Sequence, residues 1–342
     1  MKINLHAITL ENKGAFKIAH GSRTHTDTLI VGLEKDGITG WGEAAHVPYY
    51  GIDVERSVRE IQSFAKDSFL DQNPSHEAFN DFLVEKLKGN HFAICAMDMA
   101  YWDLRAKQAE KTLSDYILSS GLLKQPAGRI PFSSFTIGIG TADEMAKKAK
   151  ATDFPIIKVK LGTAEDDKLI RAIRKATNAT LRIDANTGWR TSEAIYLSEV
   201  MNENGVEFIE QPFARDAYEE MSQLRQSVKA IFIADESCKF EADLEKCIGA
   251  FDGINIKLSK CGGITPTLRM IDKARNVDMK LMLGCMTESS IGISALSHLL
   301  PFVDYADLDG ALLIKNDPAV GVKIVKGEAI FRGGFGHGGG LK

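Results

Sequence analysis

Apolar and polar positions alternate over residues 1 to about 60. The clearest stretch runs Leu29-Ile30-Val31-Gly32-Leu33, then Gly37-Ile38-Thr39-Gly40-Trp41-Gly42, with Lys35-Asp36-Gly37 at the junction. Period-two spacing on either side of an Asp-Gly turn predicts a β-hairpin. From Val54 to about Tyr116 the spacing becomes helical, with Phe92, Ala93, Ala96, Met97, Ala100, Tyr101 and Leu104 on one face. The N-terminal third is therefore expected to be α+β. Beyond Pro131, short β-rich runs alternate with longer amphipathic stretches. The runs are FSSFTIGI, IIKVKL, LRIDAN, VEFIEQP, IFIADES, GINIKLS, KLMLGCM and VDYADLD. That alternation is the pattern of parallel βαβ units, and eight runs in about 180 residues fit a closed barrel better than an open doubly wound sheet. The tail GGFGHGGGLK follows no strand–helix unit, so it reads as a terminal loop and not as a dinucleotide fingerprint.

Composition narrows the partners. With 342 residues and 44% hydrophobic content, the chain can bury a large core in one big domain or two. A net charge of −4 with mixed signs leaves no footprint for nucleic acid or an anionic membrane, so a small molecule is the expected partner. Cys95, Cys238, Cys247, Cys261 and Cys285 form an odd set without a CxxC pair, which argues against a disulfide framework or a zinc knuckle. No basic leader with an apolar run opens the sequence and no window is long and apolar enough to span a bilayer, so a cytoplasmic location is expected, with no membrane partner. A homo-oligomer is compatible with all of this.

Charged residues recur at or just after the ends of the predicted strands: Lys158 and Lys160, Asp184, Glu210, Asp235 and Lys260. From Lys160 to Lys260 the successive spacings are 24, 26, 25 and 25 residues, about the length of one strand, one helix and two loops. Five successive strands thus project these six side chains into one barrel mouth. Three carboxylates converging there repel one another, and oxygen ligands with open positions suit Mg²⁺. A bland reading, in which each is a solvated strand end or a helix N-cap, serves for one carboxylate but poorly for three in register. Lys158 and Lys160 share a strand face, so each is expected to lower the other's pKa towards the range of a general base. Lys260, four strands on, would stand across the mouth as the opposed acid.

Taken together, KVK (Lys158, Lys160), DANTGW (Asp184 to Trp189), EQP (Glu210 to Pro212), ADES (Asp235), KLSKCGG (Lys260) and GWGEA (Gly40 to Ala44) resemble the enolase superfamily, muconate-lactonizing-enzyme subgroup. The resemblance covers almost the whole chain. It implies a (β/α)7β TIM-like barrel over residues 126–310, under an α+β capping domain of residues 1–125 completed by 311–342. It also implies Mg²⁺ on Asp184, Glu210 and Asp235, holding a substrate carboxylate while an enolate forms. Activities in the subgroup include cycloisomerases, o-succinylbenzoate synthases, N-succinylamino acid racemases and dipeptide epimerases. Asp307-Leu308-Asp309 is similar to the DxD motif with which dipeptide epimerases hold the substrate α-ammonium, although Asp309-Gly310 also suits a simple turn.

The resemblance therefore implies an isomerase that inverts the second residue of a small Ala-Xaa dipeptide, Xaa being Ala, Glu or another small residue. Epimerases of Ala-Glu use a capping-loop arginine, for which Arg23 is the candidate, a solvated loop arginine being the alternative. Thr136 on strand one and Cys285, Met286 and Thr287 after strand seven are expected to line the pocket. His20, His25 and His46 are expected to be surface or packing residues. Two rivals stand beside this reading: N-acyl or N-succinyl amino acid racemisation, o-succinylbenzoate synthesis or cycloisomerisation on the same scaffold, and a non-catalytic small-molecule-binding barrel. The substrates of the first are anionic, and Asp307 with Asp309 would repel them.

Overall fold

The computed structural model describes residues 1–18, 21–47, 50–123 and 129–342. His20 and the expected domain boundary at residue 125 lie outside these residues. Three antiparallel strands open the chain: β1 (Lys2–Ile18), β2 (Gly21–Lys35) and β3 (Ile38–Ala45). The expected hairpin is β2–β3. Lys35 pairs with Ile38, and Asp36 and Gly37 between them both take positive φ, 52° and 76°, the conformation a two-residue turn of this hand requires.

Four helices follow, α1 (Val54–Phe64), α2 (His76–Lys86), α3 (His91–Gln108) and α4 (Leu113–Ser120). The sequence pattern assigned one apolar face to α3, whereas the helix is buried along almost its whole circumference. Glycines explain how it fits. A Cβ on Gly40 would stand 2.2 Å from the Ala100 carbonyl oxygen, and one on Gly42 2.1 Å from that of Ala96, so α3 lies directly on the β3 backbone.

The second unit alternates strand and helix: β4 (Phe135–Ile137), α5 (Ala142–Ala151), β5 (Ile156–Lys160), α6 (Asp166–Ala176), β6 (Thr180–Asp184), α7 (Thr191–Glu203), β7 (Val206–Glu210) and α8 (Tyr218–Ser227). It continues with β8 (Phe232–Ala234), α9 (Leu244–Cys247), β9 (Gly253–Ile256), α10 (Leu258–Cys261), α11 (Ile264–Arg275), β10 (Lys280–Gly284), α12 (Ser290–Ser297) and β11 (Tyr305–Asp307). The eight strands are parallel and ordered as in the chain, and a bridge from Ser133 to Ala306 brings the last back to the first. Each of the eight runs picked out in the sequence holds one of these strands. The floor of the barrel is packed by Phe208, Ile233, Met282 and Tyr305, with the buried Arg182 guanidinium over the Phe208 and Tyr305 rings.

The tail departs from the terminal-loop expectation. β12 (Ala319–Val320) pairs with β15 (Gly340–Leu341), and β13 (Lys323–Val325) with β14 (Glu328–Ile330). His337 is buried, its Nε2 lying 2.7 Å from the Trp41 carbonyl while its backbone N–H donates to Asp103 of α3. Residues 313–316 also hydrogen-bond β1, through Lys13 N to Leu313 O and Lys315 N to Glu11 O. Long-range partners such as these leave no local signal in a glycine-rich segment. Among the described residues no helix is long and apolar enough to cross a membrane.

Candidate active site

Alternation along a strand fixes which side chains point into the barrel interior, from floor to mouth. On β5 it selects Lys158 and Lys160, on β6 Arg182 and Asp184, and on β7 Phe208 and Glu210. Past β8 it selects Asp235, and past β9 it runs from Asn255 to Lys257. All of the mouth-facing charged groups are buried. Lys158 Nζ lies 2.6 Å from Glu210 Oε2, 3.0 Å from Asp307 Oδ2 and 3.3 Å from Asp184 Oδ2, and Lys160 Nζ donates to Asp184 Oδ2 at 2.5 Å. Lys257 Nζ donates to Asp235 Oδ2 at 3.0 Å, and Lys260 donates to the other oxygen of the same carboxylate.

The oxygens of Asp184, Glu210 and Asp235 lie within 4.8 Å of one another. Glu210 Oε1 accepts a hydrogen bond from Asn255 at 2.8 Å. Its Oε2, although close to Lys158, receives no aligned hydrogen bond among the described residues. Burial, and after it the Asp184 carboxylate, push Glu210 up to about 7. Burial works upward on Asp184 too, but Lys160 and Lys158 hold it at about 2. Asp235 is likewise opposed by burial and is held far below the usual carboxylate range by Lys257 and Lys260. A buried set of three oxygen donors with one under-satisfied oxygen fits a hard divalent cation.

The lysine expectation needs one correction. Burial pulls the Lys158 ammonium down, but Asp307, Glu210 and Asp184 outweigh it and leave the pKa well above its ordinary value. Three carboxylates around one ammonium dominate any effect of the neighbouring lysine.

Above these groups opens a cavity of about 310 Å³, lined by the expected Thr136, Cys285, Met286, Thr287 and Arg23 as well as the lysines. Asp307 and Asp309 both reach it, by different routes. Asp307 ends β11 and accepts from Ser134 Oγ at 2.7 Å as well as from Lys158. Asp309 lies past the strand, where residues 310–312 form a 3₁₀ turn, and its Oδ2 accepts the Thr136 N–H at 2.7 Å. The turn and the cavity-facing carboxylate coexist. Burial, followed by Asp307, raises Asp309 to about 7, and among the described residues it has no ion-pair partner. Arg23 is half-buried, its pKa lowered by burial, and its carbonyl accepts from Asn12 Nδ2 at 3.1 Å. His46 is a packing residue, bonded to the Ala44 carbonyl and Ser57, and His25 is exposed.

Sequence reasoning missed Lys257, Glu236 and Tyr50, all of which line the cavity. The signal for Lys257 was present: Asn255 faces inward, so Lys257, two residues on, does as well. The 25-residue spacing led instead to Lys260, which lies a helical turn further on in α10, with Asp235, Tyr50 and Glu236 the charges and dipoles that act on it. Gly284 makes room for the Lys257 stem, since a Cβ there would lie 2.9 Å from Lys257 Cε.

Comparisons with known proteins agree with this architecture. Residues 4–117 match the mandelate racemase / muconate lactonizing enzyme N-terminal domain, and residues 140–337 the enolase C-terminal domain-like family. An L-Ala-D/L-amino acid epimerase of Maribacter sp. is 46% identical over 97% of this chain and 96% of its own length. The dipeptide epimerase of Cytophaga hutchinsonii, solved with Mg and the dipeptide D-Ala-L-Val, superposes with a TM-score of 0.92 at 29% identity, covering 99% of this chain and 95% of that one. An N-succinyl Arg/Lys racemase from Bacillus cereus superposes with a TM-score of 0.91 at 26% identity, covering 100% and 96%. On these matches, which span the cap and the barrel alike, the chain belongs to the mandelate racemase / muconate lactonizing enzyme family of the enolase superfamily.

Proposed function

We propose that this protein is a Mg²⁺-dependent dipeptide epimerase, an isomerase that inverts the α-carbon of the second residue of a small Ala-Xaa dipeptide. The observation that carries the reading is the charge layout of the cavity. The Asp184–Glu210–Asp235 group and the Asp307–Asp309 pair meet on either side of the Lys158 ammonium, and Lys160 and Lys257 reach the cavity from opposite sides of the barrel. A zwitterionic dipeptide matches both ends, its ammonium beside Asp307 and Asp309 and its carboxylate at the metal end. The names of the relatives support the same activity.

Asp184, Glu210 and Asp235 would hold the metal. Mg²⁺ bound there supplies positive charge that acidifies the α-proton of a carboxylate substrate and relieves the neighbouring lysines of carboxylate charge. The chain's own groups do the proton chemistry. Lys160 on the second barrel strand and Lys257 after the sixth face the α-carbon from opposite sides, so one removes the proton and the other delivers its replacement. Geometry favours Lys257 for the role that residue spacing gave to Lys260, because Lys257 continues the inward alternation of its strand. Lys260 anchors Asp235 through its other oxygen. Lys158 keeps an ammonium beside the oxygens on which negative charge develops. Thr136, Cys285, Met286 and Thr287 form the walls around the first residue, and Arg23 faces the side chain of the second.

In this reading residues 1–125 with 311–342 are the cap and residues 126–310 carry the chemistry. The five free cysteines suit a cytoplasmic setting, and no nucleic-acid or membrane partner is invoked. Racemisation of an N-acyl amino acid uses the same lysines, but a neutral acetyl or anionic succinyl end brings no ammonium to Asp307 and Asp309. The test is deuterium uptake from D₂O, followed by mass spectrometry, with Ala-Xaa, N-acetyl-Xaa and N-succinyl-Xaa in the presence of Mg²⁺. Dipeptides are expected to exchange and the acylated amino acids to exchange poorly. Equal turnover of the acylated compounds would transfer the assignment to racemisation.

A further inference from the structure

Gln211, between Glu210 and Pro212, is buried and sits at φ 39°, a strained left-handed backbone that a non-glycine residue keeps only where its surroundings enforce it. Its surroundings are the three ligand-bearing strand ends. The backbone carbonyl of Gln211 accepts the Thr187 N–H at 2.8 Å, in the loop after Asp184. Its side-chain Oε1 accepts the N–H groups of Asp235 at 2.9 Å and Ser237 at 3.0 Å. Its Nε2 donates to the Phe213 carbonyl at 2.9 Å and to Ser237 Oγ at 2.8 Å, while Ser237 Oγ donates to the Arg215 carbonyl at 2.6 Å. One residue is thus joined by its own peptide bond to Glu210, by its side chain to the backbone of Asp235, and by its carbonyl to the loop that follows Asp184.

We propose that Gln211 is a positioning residue that sets the spacing of the three carboxylates and so selects the small cation Mg²⁺ over Ca²⁺. The inference rests on the metal reading above and extends it to selectivity. Mg²⁺ requires near-ideal octahedral geometry at about 2.0–2.1 Å, whereas Ca²⁺ accepts looser oxygen sets at about 2.3–2.6 Å. Rigid registration of Asp235 against Glu210 therefore matters for Mg²⁺ and much less for Ca²⁺. Partners that orient metal ligands change affinity by about 10- to 100-fold when removed.

The test is direct metal binding to the full chain, measured by titration calorimetry for Mg²⁺ and Ca²⁺ without substrate, in the unaltered protein and in Gln211→Met. Mg²⁺ binding is expected to weaken by about tenfold or more and Ca²⁺ binding by less than about threefold, so that the Mg²⁺/Ca²⁺ preference falls. A folded Gln211→Met variant with both affinities unchanged, or with both reduced equally, overturns the proposal. If that variant does not fold, by far-ultraviolet circular dichroism, Ser237→Ala decides the matter. It removes one partner of Nε2 and leaves the Oε1 bonds, so a smaller loss of Mg²⁺ affinity, with Ca²⁺ binding intact, is expected. Unchanged Mg²⁺ affinity in folded Ser237→Ala then overturns the proposal. Failure of the unaltered chain to bind Mg²⁺ would remove the metal reading and this inference with it.

Discussion

At the scale of single residues, the cavity contains four lysines, and their surroundings separate their roles. Lys158 is held by three carboxylates, and Lys260 shares Asp235 with Lys257 from within α10. Lys160 and Lys257 stand on strands half a barrel apart. Replacing either by alanine is expected to lower epimerisation by about 10²- to 10⁴-fold, the range of a lost general acid or base. Each variant should still exchange the α-proton of one substrate stereoisomer, the opposite one in the two cases, because the surviving lysine can remove and return a proton on its own face. Lys260→Met should behave differently. Loss of an anchor on Asp235 weakens metal binding, so its activity should recover at high Mg²⁺ while exchange of both stereoisomers persists. Stereospecific loss of exchange in Lys260→Met, with Lys257→Ala unaffected, would return the role to Lys260. The aspartates at and just past the end of β11 are tested by Asp307→Asn combined with Asp309→Asn. A charge-assisted hydrogen bond contributes about 1.5–3 kcal/mol, so the double variant should lose most of an approximately ten- to hundredfold preference for Ala-Xaa over N-acetyl-Xaa.

At the scale of elements, the cap reaches the barrel helices through their N-termini. Asp98 of α3 accepts the Thr265 N–H at 2.9 Å and the Thr265 hydroxyl at 2.6 Å, in the first turn of α11, and Trp102 Nε1 donates to the same hydroxyl at 2.9 Å. Burial raises Asp98 from 3.8 to about 6, against the hydrogen bonds from Thr265. With the folded pKa above the unfolded one, the contribution of Asp98 to stability is complete below about pH 3.8 and is lost as pH rises through about 6. Asp98→Asn cannot ionise, so its stability relative to the unaltered protein should improve by about 2–3 kcal/mol from pH 4 to pH 7, measured by urea unfolding. Parallel curves over that range would place the charge of Asp98 outside the balance. Contacts of this kind explain what the sequence left hidden. Several barrel strands were legible because a polar residue stands where the apolar run ends, as in Asp184, Glu210 and Asp307. Lys257 was obscured by a second lysine three residues on, at the repeat length. Asp98 with Thr265, and His337 with Asp103, are partners far apart in the chain, and neither residue type advertises its mate.

At the scale of the whole molecule, the cavity exists only where cap and barrel meet. Arg23, Thr26, Val47 and Tyr50 come from the cap, while the three clustered carboxylates and the four cavity lysines all belong to the barrel. The second seat of the cap is Glu43 in GWGEA, held in place by α3 against Gly40 and Gly42. Its carboxylate is buried and accepts from Ser289 N at 2.9 Å, Ser289 Oγ at 2.5 Å and Gly292 N at 3.0 Å, all at the start of α12, and from Thr28 Oγ1 at 2.9 Å. Removing it leaves buried donors unpaired, at a cost of about 1–3 kcal/mol for each group that finds no water. Because Glu43 joins the two units and is not among the residues that line the cavity, Glu43→Ala should act on their coupling and not on the chemistry. Calorimetry of the unaltered protein should show one unfolding transition that moves upward with Mg²⁺, by about 2.7 kcal/mol at one hundred times the dissociation constant. In Glu43→Ala the transition should split, with the Mg²⁺ shift kept by the barrel component alone. The dipeptide KM should rise by about tenfold or more, while kcat at saturating dipeptide changes little, since the lysines and ligands remain in place. A single transition with an unchanged KM would show that the cap keeps its seat without Glu43, leaving Asp98 and the tail to hold it there.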